Sequence, residues 1–158
     1  MIERLTVDDV DGVNSLMRDP DIYPHVTDDS CPRPEDFDAS DMLKSDDIYA
    51  LGWRDNGSIP GLLILYALNG ITYQGHICMS KECRGREAVE NSLKAKDWMF
   101  ENTNCRKIVA FVPDHRKVVK VIVKAIGFER EGKLKNSFLK DGTLIDEVIY
   151  GIEKGGGE

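Results

Sequence analysis

The stretch from Ile71 to Phe100 constrains this chain more than any other. Ile71 to Ser80 reads as a strand, and Gly85 breaks the pattern inside the charged run Arg84-Gly85-Arg86-Glu87. Ala88, Val89, Leu93, Met99 and Phe100 then recur at helical spacing, with Glu90, Lys94 and Asp97 on other faces. A strand that passes through a glycine turn into an amphipathic helix predicts a sheet with helices packed on it. The turn also has chemical meaning. Amides at a helix N-terminus lack partners, the helix dipole favours negative charge there, and a glycine lets a pyrophosphate come close. Arg84 and Arg86 add charge that can meet phosphate oxygens.

The flanking sequence supplies the rest of the sheet. Ile48 to Arg54 and Gly61 to Leu68 read as strands joined by Asp55-Asn56-Gly57-Ser58, and Asn-Gly is a strong hairpin signal. Asn69-Gly70 repeats that signal before the third strand. Upstream, Thr6 is the expected N-cap of a helix carrying Val10, Val13, Leu16 and Met17 and ending near Pro20. Pro24 to Pro34 reads as loop, and Pro34 opens a short helix through Met42 and Leu43.

Downstream, Lys107 to Val112 is a short strand. Val118 to Ile126 is rich in β-branched residues, yet Val118, Val121, Ile122 and Ala125 fall at i, i+3, i+4 and i+7, opposite Lys117, Lys120 and Lys124. Spacing predicts a helix, capped by Asp114 and ended by Gly127. Phe128 to Leu139 and Thr143 to Ile152 close the chain as a hairpin around Asp141-Gly142. The expectation is an α/β domain over residues 1–153: a mixed, mostly antiparallel sheet with helices on both faces. Residues 154–158 are expected to form a flexible tail.

Charge narrows the function. The sequence has a net charge of −7, concentrated at its start: residues 1–47 carry 14 Asp or Glu against 4 Lys or Arg. That balance disfavours nucleic acid as a partner and suits an acidic lip attracting a cationic acceptor. Cys31, Cys78, Cys83 and Cys105 form no repeated metal-ligand unit, so plain thiols and no metal are expected. No apolar run approaches the roughly 20 residues of a membrane helix. The acidic start lacks a secretory pattern, and a cytoplasmic location is expected.

A second constellation lies after the turn: Ala125-Ile126-Gly127-Phe128-Glu129-Arg130-Glu131-Gly132, then Lys140-Asp141-Gly142 and Asp146. With Arg84-Gly85 opening the preceding helix, this arrangement over Gly75 to Glu153 resembles the GNAT (GCN5-related N-acetyltransferase) family. It is closest to the branch acting on ribosomal-protein N-termini, and Arg18-Asp19-Pro20-Asp21 is similar to that branch too. The resemblance implies acetyl-CoA as cosubstrate and a primary amine as acceptor, in a monomer or homodimer. It implies that the Met79 main chain receives the thioester carbonyl as an oxyanion donor. Arg84, Gly85, Arg86, Glu87 and Ala88 would hold the pyrophosphate, with Arg116 and Lys120 near pantetheine or phosphate.

Four positions depart from the family pattern. Glu82 and Glu87 stand at the first and last places of the loop, Arg116 stands where an asparagine is usual, and Val123 replaces an acid tyrosine. A looser likeness to GNAT-like proteins of tailed bacteriophages implies an alternative, an assembly or interaction protein with little or no catalysis. For the chemistry itself, His76 is the candidate base on the central strand. Tyr150 or Tyr73 is the candidate acid, and His25 and Asp28-Asp29 are candidate contacts for a cation. His115 is expected at a helix start.

Overall fold

A computed structural model describes residues 1–156; residues 157 and 158, the end of the expected tail, lie outside the described residues. The strands are β1 (Glu3–Arg4), β2 (Ile48–Asp55), β3 (Ser58–Ala67), β4 (Thr72–Met79), β5 (Lys107–Pro113), β6 (Glu129–Lys140) and β7 (Thr143–Glu153). The helices are α1 (Val10–Met17), α2 (Tyr23–Val26), α3 (Ser40–Lys44), α4 (Arg86–Asn102) and α5 (Lys117–Ala125). One sheet runs in the order β1-β2-β3-β4-β5-β7-β6, and every pairing is antiparallel except β4 with β5.

Helices cover both faces because strand residues alternate sides. Leu65, Tyr73, Ile108, Ala110, Val112, Val148 and Tyr150 point to α4 and α5, where they meet Ala95, Met99 and Val123. Leu62, Cys78 and Ala50 point the other way, to Val13, Leu16 and Met17 of α1 and to Ile22 before α2. Trp53 lies flat over Gly61, where an added Cβ would stand 2.4 Å from its ring, and packs with Met79 and Cys83.

Several local signals behave as expected. Thr6 accepts from Asp8 and Asp9 accepts from the Thr6 amide at 2.8 Å, a complete capping box. Asn56-Gly57 and Asp141-Gly142 both have positive φ at each residue, the two-residue hairpin turn. Gly127 (φ 98°) closes α5, with Gly127 N–H on Lys124 and Phe128 N–H on Val123.

Others differ. Asn69-Gly70 is not a two-residue hairpin turn: the Asn69 side chain accepts from Ile71 at 3.0 Å and Thr72 at 2.9 Å instead, the alternative open to asparagine. The expected loop after Pro24 contains the short helix α2, and the expected helix from Pro34 is a 3₁₀ turn separated from α3. Asp114 does not cap α5, since Arg116 holds that position and Asp114 pairs with Lys120. Val118 and Val121 are 64% and 66% exposed, while Ile122, Val123 and Ile126 are buried and Val119 half-buried. The inward stripe is one residue later than expected. In the expected tail, Lys154 donates to the Arg106 carbonyl at 2.8 Å.

Candidate active site

The parallel contact between β4 and β5 is short. It runs from Thr72↔Lys107 to Gln74↔Val109 and stops, although β4 continues to Met79 and β5 to Pro113. Beyond Gln74 the two strands part, each held only by its outer neighbour, β3 or β7.

Register shows which peptide groups face the opening. In an antiparallel ladder, residues alternate between bonding their partner strand and pointing away from it. Ser80 N–H bonds Pro60 at 2.9 Å and Leu68 N–H bonds Thr72 at 2.9 Å, which fixes the even residues of β4 as bonded to β3. The Gly75 amide closes the last rung with Val109, and beyond it the amides and carbonyls of Ile77 and Met79 point towards departing β5. On β5, the Asp114 amide bonds Asp146 at 2.8 Å, so by the same alternation Phe111 points its peptide groups back at β4. Met79 was legible as a donor; Ile77 shares its geometry and carries no side-chain signal that would reveal it.

The wide end of the opening meets the glycine turn. Gly85 has φ 82° and ψ −130°, a conformation that favours glycine, and a Cβ there would meet nothing within 4 Å. The first helical bond returns from Val89 to Gly85 at 3.2 Å. Among the described residues, no side chain accepts from the amides of Gly85, Arg86, Glu87 or Ala88, and α4 has no side-chain cap. Glu87 is exposed and pairs with neither arginine. It faces the Cys83 thiol, which burial pushes up and Glu87 raises further. Arg86 is 92% exposed and pairs with Glu90 at 2.7 Å.

Two connected cavities occupy the parted region. The larger, about 480 Å³, is lined by Met79, Arg84, Ala88, His115, Arg116 and Ile122 among others. The smaller, about 280 Å³, crosses the sheet between His76, Asp28 and Glu147 on one side and Ser92, Lys96 and Val123 on the other. Ile77, Val119, His25 and Arg116 line both.

Over the mouth runs the α2 segment, tied from both sides. Arg84 donates to the Asp21 carbonyl at 3.3 Å, and Arg116 to the Pro24 carbonyl at 3.2 Å. Burial pushes the Arg116 guanidinium down from its ordinary value, without taking it near neutrality in water. The next loop is clamped to the closing hairpin: Asp29 accepts from Asp141 at 2.8 Å and Gly142 at 2.9 Å, and Lys140 donates to Thr27 at 3.0 Å. Asp29 is thereby a structural clamp, and of that acidic pair only Asp28 lines the cavity.

His76 stacks on Tyr66 with its Nε2 2.9 Å from the Tyr66 hydroxyl. Burial pushes His76 below the ordinary imidazole value, and burial, then Glu147, pushes Tyr66 up. Tyr150 and Tyr73 lie in the main core and line neither cavity. Lys120 lines neither, being held by Asp114. Ser92 and Glu147, which line the smaller cavity, and Tyr66, which meets His76, carry no signal in the sequence, since only the packing of β3, β4, β7 and α4 brings them near one another. Among the described residues no three His, Cys, Asp or Glu side chains group as a metal site, and no helix is long and apolar enough to cross a membrane.

Residues 34–156 match a family described as "Protein of unknown function (DUF2824)". The chain belongs to the DUF2824 family. No curated protein matches the sequence of this DUF2824 member. Among solved structures it is similar to a ribosomal-protein-S5-alanine acetyltransferase from Vibrio fischeri, with TM-score 0.81, 14% identity, and 99% and 94% of the two chains covered. It is also similar to a spermidine N-acetyltransferase from Vibrio cholerae in complex with CoA and spermine, with TM-score 0.79, 17% identity, and 99% and 96% covered. An acetyltransferase of the GNAT family from Streptococcus pneumoniae gives TM-score 0.76 at 16% identity, with 98% and 99% covered. At these identities the likeness establishes a GNAT fold for this DUF2824 chain.

Proposed function

We propose that this protein is an N-acetyltransferase that carries an acetyl group from acetyl-CoA to a primary amine. The observation that carries this reading is the parting of β4 from β5 after Gln74, with strand amides aimed into the gap and a free glycine turn at its wide end. The similar Vibrio cholerae enzyme in complex with CoA and spermine supports the same choice of ligands.

In this reading the pantetheine arm lies along the open edge of β4, where peptide groups stand ready as for an added strand. The turn from Arg84 to Ala88 takes the pyrophosphate. Arg84 and Arg116 exchange their bonds to the α2 segment for phosphate oxygens. The Ile77 and Met79 amides polarise the thioester carbonyl and stabilise its developing negative charge.

The amine enters on the His76 face, past Asp28 and Glu147, whose charge suits a cation. Desolvation leaves His76 neutral and able to accept a proton at pH 7. The entering ammonium gives one proton to His76, the neutral amine attacks so that a carbon–nitrogen bond forms and the carbon–sulfur bond breaks, and the second amine proton reaches the departing thiolate through water. Water serves as the acid because Val123 has none to give and Tyr150 is in the core.

One observation favours a second reading, an assembly or interaction protein such as those of tailed bacteriophages. Both mouth arginines bond main-chain carbonyls of the chain itself. Release of free thiol from acetyl-CoA, measured over polyamines, lysine peptides and N-terminal peptides, separates the two. The acetyltransferase reading expects amine-dependent release that His76→Ala reduces on the order of 10²-fold. Binding of acetyl-CoA without release from any amine favours the second.

A further inference from the structure

Two side chains converge on one nitrogen of His76. The Tyr66 hydroxyl lies 2.9 Å from Nε2, and the Gln74 amide nitrogen lies 3.4 Å from it. Register brings them together. Tyr66 stands opposite Gln74 across β3 and β4, and Gln74 precedes His76 by two residues, so all three share one face of the sheet. The Tyr66 and His76 rings stack with centroids 5.3 Å apart and planes 17° apart, which fixes how the imidazole is turned.

Gln74 is 8% exposed, and a buried amide nitrogen needs an acceptor because it can only donate. Nε2 is the acceptor it meets, so in the neutral ring the proton sits on Nδ1. Burial keeps that ring neutral. The Tyr66 hydroxyl then also points its hydrogen at Nε2. Burial, then Glu147, pushes the phenol up, so it has a proton to donate.

The basic lone pair of His76 is therefore covered by a hydroxyl, and a proton reaches it by way of that hydroxyl. A phenol suits this task, since its oxygen can accept as its hydrogen leaves. His76 lines the smaller cavity and Tyr66 does not, yet the Tyr66 hydroxyl is in hydrogen-bond contact with His76. One water spans the remaining step. Glu147, whose charge acts on the same hydroxyl, lines that cavity and draws an ammonium to this end of it.

We infer that Tyr66 is the proton relay of this site: its hydroxyl hands its proton to His76 Nε2 as it takes one, through a bridging water, from the acceptor's ammonium. Gln74 is the positioning residue that holds the ring in the receptive tautomer. This role rests on the acetyltransferase reading above and adds only the route of the first proton. Tyr66 ends as it began, a neutral phenol; His76 becomes an imidazolium; the ammonium becomes the neutral amine that attacks.

Nitrogen NMR of the whole protein, well above the ordinary imidazole value, is expected to show His76 with Nδ1 protonated and Nε2 bare. A protonated Nε2 overturns the inference, and the measurement needs neither CoA nor acceptor. Amine-dependent thiol release in mixtures of light and heavy water is expected to curve, as for two protons moving together, and a straight line overturns the relay. Tyr66→Phe keeps the stacked ring and loses the hydroxyl. Its kcat is expected to fall about 10²-fold, with KM for the amine within about two-fold, and an unchanged kcat overturns the inference while leaving the acetyltransferase reading intact. Absence of release with any amine overturns that reading and the relay with it. The two measurements on the unmodified protein decide the matter even where the variant fails to fold.

Discussion

Gln74 and Val109 are the last residues at which β4 and β5 are paired. Past them, β4 stays bonded to β3 as far as Met79↔Gly61, and β5 stays bonded to β7 as far as Pro113↔Glu147. The parting is thus a split between two intact half-sheets, and each strand keeps one full ladder. The two inner edges are recessed beneath the α2 segment, which shields them from pairing with another chain.

Removing charge from the turn will weaken CoA binding without unfolding the protein. Arg86 is 92% exposed, and Arg84 makes one long bond of 3.3 Å to a main-chain carbonyl. Losing a charge-assisted phosphate contact costs about 1.5–3 kcal/mol, or roughly ten- to a hundred-fold in Kd. Calorimetry on Arg84→Ala with Arg86→Ala should show that loss, with a denaturation midpoint close to that of the parent.

Gly85→Ala separates strain from crowding. An added Cβ meets no atom within 4 Å, so any cost comes from the backbone conformation at φ 82° and ψ −130°. Holding a residue with a Cβ there costs about 1–3 kcal/mol. Urea denaturation should report that loss, and the turn should relax away from its anion-binding shape, weakening CoA binding as well.

Acid will destabilise the protein in two steps. His25, His76 and His115 all lie below their ordinary value of 6.5, burial being the largest cause in each case. The unfolded chain therefore binds more protons than the folded one as pH falls through 6.5 towards the folded values, and stability falls with pH across that window. Above pH 6.5 these groups contribute no such penalty. A second loss begins below the ordinary carboxylate range, where Asp9, Asp28 and Asp146 are held down and must be protonated. Denaturation midpoints between pH 8 and pH 3 should show both, and His76→Ala should shrink the first.

How much of this was legible depended on whether a signal was local. Asn56-Gly57 fixed a hairpin because its information lies in backbone conformation alone. Asn69-Gly70 has the same letters, yet a side chain that can bond its own main chain gave the turn another solution. For α5 the period was right and the phase was not. Val119, Ile122, Val123 and Ile126 satisfy the same i, i+3, i+4, i+7 spacing as Val118, Val121, Ile122 and Ala125, and only packing on Ala110 and Val112 chooses between them. Met79, Arg84 and Gly85 were readable from the strand-turn-helix run. Ser92, Glu147 and the Ile77 amide were not, because their meaning arises where β4 and β5 separate.

The Asp29 carboxylate joins distant parts of the chain. It accepts from Asp141 and Gly142 and so fixes the loop after α2 to the closing hairpin. Asp29→Ala should raise hydrogen exchange at residues 27–31 and 139–143 together while leaving β4 protected. Exchange that rises in one segment alone would show that the clamp does not couple them.

The account depends most on open amides meeting an anionic ligand, and amide chemical shifts during titration with CoA measure that directly. The expected result is a saturable shift at Ile77, Met79, Gly85, Arg86 and Glu87, with β1 and β6 unchanged. Unmoved resonances at those positions with millimolar CoA present would contradict it.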